Sequence, residues 1–330
     1  MTIAAEPKAP SREGSPSSLP STSWWQKLGP LMGLLLLCVS LSIASPHFLT
    51  IDNLLNVLRQ SAINAILGLG QLIVIITAGI DLSIGSVMGV CNVAVALLLH
   101  AGWHPVAACV AVLVLGSAIG LLNGLLLTQL RLPHPFISTL GTMNVGRGVA
   151  LLLAGGIPIS GLSPGFRATF GGDALGLPMP MVVAGIAYLC GYVFLARTVW
   201  GRDLYAIGGN REAARLSGIP VNSRLNLAYT LSGAAAALAA LVLAARMNSG
   251  FPLAGTGAEL DAIAAVIIGG ASFFGGVGGV GGTMIGALII AFLRNGLNLL
   301  DVSAYWQVIV IGTVIVAAVW IDVVRQRQHR

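Results

Sequence analysis

Apolar residues along this chain fall in long unbroken runs, not in the alternating or three-to-four spacing of a half-buried strand or helix. Ten runs can be marked: 28–46, 61–79, 83–100, 105–129, 136–154, 178–196, 225–245, 259–274, 278–294 and 304–321. A membrane-spanning helix needs about 20 predominantly apolar residues, with a range of about 17–25. The pattern predicts an all-α, polytopic transmembrane helical bundle of about ten spans. The second and third runs are parted only by Gly79-Ile80-Asp81-Leu82-Ser83. That spacing leaves two readings open, a tight hairpin at the membrane surface or a helix broken inside it.

Residues 1–27 are rich in Pro and Ser and almost free of aliphatic side chains, which predicts a disordered N-terminal tail. Ser42-Ile43-Ala44 could pass for a signal-peptidase site, but the long polar leader favours an uncleaved first span. The membrane domain is expected over 28–322, with a long polar loop at 197–224 and a short tail at 323–330.

Composition narrows the class. Only 8% of the 330 residues are charged, where a soluble domain carries about 25%. Apolar residues make up 56%, with 43 glycines besides, and the mean hydropathy is +0.90. A soluble enzyme, a coiled coil, a disordered protein and a nucleic-acid module are all excluded as readings. The four cysteines, Cys38, Cys91, Cys109 and Cys190, lie in apolar runs without close pairing. They read as buried thiols, not as a metal or disulfide framework.

The net charge of +6 is placed, not scattered. With the N-terminus inside, the inner segments hold Lys8, Arg12, Lys27, Arg131, Arg197, Arg202, Arg211, Arg215, Arg224, Arg325, Arg327 and Arg330, 12 of the 17 basic residues. Lys and Arg collect on cytoplasmic loops, so both termini are predicted to be cytoplasmic and the span count even.

The chemistry that is missing is as informative. A P-loop needs a Gly-Lys-[Ser/Thr] core, and the two lysines, Lys8 and Lys27, lie in no such sequence. Gly276-x-Gly278-x-x-Gly281 matches the spacing of a dinucleotide fingerprint, but it joins two apolar segments too long for strands and lacks the βαβ unit that the fingerprint requires. All five histidines fall in loops or at span ends, and carboxylates deep in the bundle are scarce, which argues against proton coupling and acidic-ring channels.

Polar residues at bilayer depth are the next candidates, because they are costly there. Arg147 sits near the middle of its run, with Asn144 three residues earlier. Asp81 and Ser83 occupy the 79–83 interruption, where either could cap the following helix. Glu259 and Asp261 open the eighth run, where a first-turn acid suits the helix dipole. In the long loop, Asn210 can cap a short helix favoured by Glu212, Ala213 and Ala214, and Gly218 can end it. A short surface helix of this kind suits docking of another protein; an ordinary connecting loop is the other reading.

At these residues the sequence resembles the permease subunits of ribose-type (monosaccharide) ABC importers. The Glu-Ala-Ala-x-x-x-Gly core at Glu212–Gly218, preceded by Ala206-Ile-Gly-Gly-Asn210, is similar to the family's cytoplasmic loop. So are Gly79–Ser86, Pro135–Thr142 with Arg147-Gly148, Glu259–Val266 leading into Gly269-Gly270, and Asn295–Leu299 followed by Tyr305-Trp-Gln307. The likeness covers roughly 30–322. Two positions depart from the family pattern: Val277, where members often carry a basic residue, and His134, which interrupts Pro-Pro-Phe.

The resemblance implies a transport subunit, not an enzyme, in the bacterial inner membrane. It implies an ATP-binding partner subunit that carries the ATP and Mg, with no cofactor on this chain. It also implies a periplasmic or lipid-anchored solute-binding protein and a second permease copy or paralogue, with lipid around the bundle and no nucleic acid. Coupling to the ATPase would fall to Gly209, Asn210, Glu212, Ala213, Ala214 and Gly218. The translocation pathway would draw on Asp81, Ser83, Thr139, Asn144, Arg147 and Asn295. The rival reading is an ion-coupled secondary transporter. Its support is a faint internal echo, Asn123-Gly-Leu125 before Gly141-Thr142 against Asn295-Gly-Leu297 before Gly312-Thr313.

Overall fold

The computed structural model describes residues 24–328 other than 131, 133 and 175. Of the tail expected over 1–27, residues 1–23 lie outside the described residues, as do Arg131 and residues 329–330, while residues 24–27 are already helical. The chain forms α1 (Trp24–Ala44), α2 (Ile51–Ile76), α3 (Ile84–His100), α4 (Pro105–Gln129) and α5 (Pro135–Ala154). A short α6 (Pro164–Gly171) precedes α7 (Met179–Arg197), and α8 (Val199–Gly209) and α9 (Arg211–Leu216) follow. The last four helices are α10 (Val221–Met247), α11 (Ala258–Ile268), α12 (Val280–Leu299) and α13 (Ala304–Gln328).

Each predicted run falls on a helix, but the helices are unequal. Seven of them, α2, α4, α5, α7, α10, α12 and α13, are long and apolar enough to cross a membrane, while α3 and the apolar part of α1 are shorter. The polytopic all-α class is as expected. The eighth run departs from expectation. Its apolar run predicts a span over 259–274, yet α11 stops at Ile268 after 11 residues, about 16 Å of helix. Glycine is the reason: Gly269 caps the helix and Gly270 follows at φ +89°, a conformation that costs glycine nothing. At other boundaries the helices run longer than the apolar runs. α2 begins at Ile51 and α1 at Trp24, because polar residues such as Asp52, Asn53 and Asn56 do not break a helix.

Helices α2 and α10 form the centre of the bundle. Their most apolar stretches are 83% and 61% buried, against 11% for α13 at the edge. α10 packs on α4, α2 and α3. Lipid is as apolar as leucine, so close backbone approach replaces the hydrophobic drive of a soluble core. Gly116 of α4 and Gly233 of α10 meet in this way, and a Cβ on either would run into the carbonyl of the other.

The two ends of the bundle differ. One end carries α8 and α9, and α13 returns to it, with Asp322 meeting the backbone of Phe273. The other carries two small antiparallel pairs. β1 (Ile159–Ser160) pairs with β4 (Ser249–Gly250), and β2 (Asp173–Ala174) with β3 (Leu177–Pro178).

Candidate functional site

Two interruptions of helical backbone organise the site. The first joins α2 to α3. α2 ends at Ile76, Ala78 takes a left-handed φ of +60°, and α3 starts at Ile84. Asp81 is 1% exposed and Ser83 is fully buried. The 79–83 segment is therefore a non-helical reversal enclosed by protein at the α8–α9 end, since α2 begins and α3 ends at the opposite end, where Arg59 meets Asp173 and His100 meets Ser160 O. Irregular backbone so enclosed is tolerated only where protein satisfies it, and here it does. The Asp81 carboxylate accepts from Ser83 N–H at 2.9 Å, Ser83 Oγ at 2.6 Å and Ser232 Oγ at 2.7 Å. Asn123 donates to Ser83 Oγ at 2.7 Å. With its amide oriented to match its neighbours, Gln71 donates to the Asp81 carbonyl at 3.0 Å and accepts from its N–H at 3.2 Å. Asp81, not Ser83, serves the start of α3.

The second interruption is the glycine-rich turn between α11 and α12, over 269–279. Its bonds come mainly from backbone. Ser272 N donates to Val277 O, and Gly276 N donates to Ile76 O at 2.9 Å. Asp322 of α13 accepts from Phe273 N at 3.1 Å.

The six pathway candidates separate into four locations. Asp81, Ser83 and Thr139 come together, since fully buried Thr139 points its hydroxyl at the carbonyls of Pro135 and Ile80, 3.1 and 3.5 Å away. Arg147 is half-buried and donates to Ala254 O at 2.7 Å, within the non-helical approach to α11. Asn144 is exposed on the outer face of α5 and bonds back to Leu140 O. Asn295 stands apart, locked in a reciprocal amide pair with Asn53 of α2 at 2.7 and 3.1 Å.

The coupling candidates form one unit at the α8–α9 end. Asn210 lies between the helices and its Oδ1 accepts from Ala213 N at 2.9 Å, the cap that the spacing predicted. Gly218 takes φ +83° just past the end of α9, which closes the helix as expected. Ala214 is buried and packs with Ile207, Val74 and Leu127, pinning α9 to the bundle. Glu212, Ala213 and Arg215 face outward, and Leu216 is 75% exposed. Glu212 pairs with Arg215 across one turn. Hydrogen bonding from that guanidinium holds the Glu212 carboxyl below the usual carboxylate range.

Some connections escape sequence reading. Ser232, Asn123 and Gln71 complete the Asp81 network, and their only signal is polarity inside apolar runs. Asp261 lies in the first turn of α11, as expected, and it also accepts both bonds of Arg294 Nη2 at 2.7 and 2.9 Å. Local dipole logic sees the first turn but not a guanidinium brought in from α12. Buried Asn92 ties α3 to α10 through Ala240 O and to the α11 approach through Phe251 N.

A bundle of apolar helices with seven long enough to cross a membrane is the architecture of a polytopic membrane protein. Residues 53–319 match the family described as branched-chain amino acid transport system / permease component, and the chain belongs to this permease family. It is 46% identical to the ribose import permease protein RbsC of Bacillus subtilis over 90% of this chain and 92% of that one. It is 43% identical to RbsC of Escherichia coli K12, covering 91% and 94%, and 38% identical to the D-allose transport system permease protein AlsC of the same organism, covering 91% and 92%. No solved structure matches the chain. The protein is thus a multi-pass permease of the bacterial inner membrane, a transport component and not an enzyme.

Proposed function

We propose that the chain is the membrane subunit of a binding-protein-dependent importer that moves a monosaccharide inward, driven by ATP hydrolysis on a separate subunit. The observation that carries this reading is α9, a helix capped by Asn210 and displayed outward on a chain that contains no P-loop of its own. The names of its relatives, ribose and allose permeases, supply the solute class. ATP and Mg belong to the partner, which docks on α8–α9 through Glu212 and its neighbours. A periplasmic or lipid-anchored binding protein delivers the sugar to the opposite end, where the small strand pairs lie.

The same reading places α8–α9, the expected tail over 1–27 and the C-terminal tail in the cytosol, consistent with the basic residues Arg197, Arg202, Arg211, Arg215 and Arg224. It keeps ten membrane segments, with α3 and α11 as short helices that meet enclosed breaks. The solute passes between this chain and a second permease copy or paralogue. The outer face of α5 supports that placement: Gly141, Asn144 and Gly148 lie along it with open space beyond both glycines, and Arg147 stands beside them. An exposed amide on a membrane helix is costly against lipid and natural against an aqueous path.

In the complex reconstituted with its ATPase and binding protein, Glu212→Ala should insert normally but lose most sugar-stimulated ATPase activity and uptake. Unchanged stimulation would remove α9 from coupling. Uptake driven by an ion gradient with no ATPase present would replace the importer reading with the secondary-transporter one.

A further inference from the structure

We infer that the glycine-rich turn between α11 and α12 is a second arm of the coupling element, because α8 rests on both helix breaks at one backbone junction. This rests on the importer reading above. Ile76 closes α2, and the neighbouring end-of-helix bonds, from Thr77, Ala78 and Gly79, go to Val74 and Ile75. The Ile76 carbonyl receives Gly276 N–H from the turn at 2.9 Å instead. It thereby satisfies one of the acceptors that a helix end leaves open.

Gly208 of α8 lies directly on this bond. A Cβ at Gly208 would run into the Ile76 oxygen and stand 2.5 Å from Gly276 N. Gly276 has φ +72°, and a Cβ there would approach the backbone of Gly209 to 3.0 Å. One turn back on the same face of α8, Tyr205 Oη donates to Gly278 O at 2.9 Å. Three backbones thus touch without an intervening side chain. Side chains absorb small displacements by changing rotamer, whereas backbone in contact with backbone does not. A displacement of α8 by the ATPase is therefore passed at once to the end of α2 and to the turn that joins α11 to α12. The Val277 side chain takes no part in this, since glycine backbone makes the contact.

The test uses the full complex with its cognate ATPase and binding protein in proteoliposomes, with D-ribose, D-allose and D-galactose as probe sugars. Gly208→Ala and Gly276→Ala are expected to assemble with the ATPase and keep its basal hydrolysis, while sugar uptake per ATP hydrolysed falls at least tenfold. Tyr205→Phe adds no atom and should lower the same ratio about two- to threefold at unchanged thermal stability. Gly281→Ala, at a helix position with open space around it, should behave as wild type. An unchanged uptake-to-hydrolysis ratio in assembled Gly208→Ala or Gly276→Ala overturns the inference. If neither glycine variant assembles, an unchanged ratio in Tyr205→Phe overturns it. ATP-independent behaviour of the wild type with all three sugars instead defeats the importer reading itself.

Discussion

The chain interrupts its helices twice within the bundle, at 77–83 and at 269–279, and the two breaks are built on opposite plans. The first is held by directional side-chain bonds converging on one carboxylate, with donors from Ser83 just before α3 and from α10, and the Asn123 amide of α4 one step behind. The second is mostly glycine and bonds largely backbone to backbone, with Asp322 of α13 and Tyr205 of α8 as side chains that reach in from outside. A carboxylate network fixes one geometry, because each lost bond strands a buried partner. A glycine turn has few side-chain bonds to lose and wide conformational latitude. The first break is thus fixed mainly by side chains and the second mainly by backbone, although both meet α8.

The largest expected effect falls on the anchored break. Asp81→Ala removes the acceptor of Ser83 N–H and of two hydroxyls in a sealed site, a loss of about 2–4 kcal/mol. Thermal unfolding in detergent should show a large drop in melting temperature, and Asp81→Asn, which keeps an acceptor, a smaller one. A melting temperature unchanged by Asp81→Ala would erase the contrast between the breaks.

Asp322→Ala sharpens the comparison from the other side. It removes the acceptor of Phe273 N–H and a partner of Ser272, at about 1 kcal/mol, because the glycine backbone bonds remain. The same melting experiment should rank it well below Asp81→Ala. A cost equal to that of Asp81→Ala would mean that the second break is also held by a carboxylate.

Much of this organisation was legible before the fold was known, and the illegible parts share a cause. Run length found the helices, since 17 or more apolar residues have few alternatives to spanning. Asn210 and Gly218 bracketed α9, because a cap and a stop act within a few residues. The eighth run misled because it continues unbroken through Gly269 and Gly270, which end the helix. Asp261 was placed in the first turn of its helix, but its partner Arg294 was missed because it is 33 residues away. The role of Asp81 stayed open because Ser232 lies 151 residues on. Interactions that close locally can be read from spacing; those that close through the fold cannot.

Tyr229→Phe should have the smallest effect and separates the Asp81 centre from the rest of the polar lining of the first break. Tyr229 is fully buried, and its hydroxyl donates to Ile80 O at 3.3 Å, one residue from the carboxylate at the centre of the network. The ring stays in place when the hydroxyl is removed, so packing against α4 is kept and only a neutral bond is lost. Such bonds between membrane helices contribute about 0.6 kcal/mol. If the break is held by the Asp81 carboxylate, Tyr229→Phe should shift the melting temperature only slightly and leave uptake intact. A loss as large as that of Asp81→Ala would mean that the whole polar lining shares the load and that the carboxylate has no special place in it.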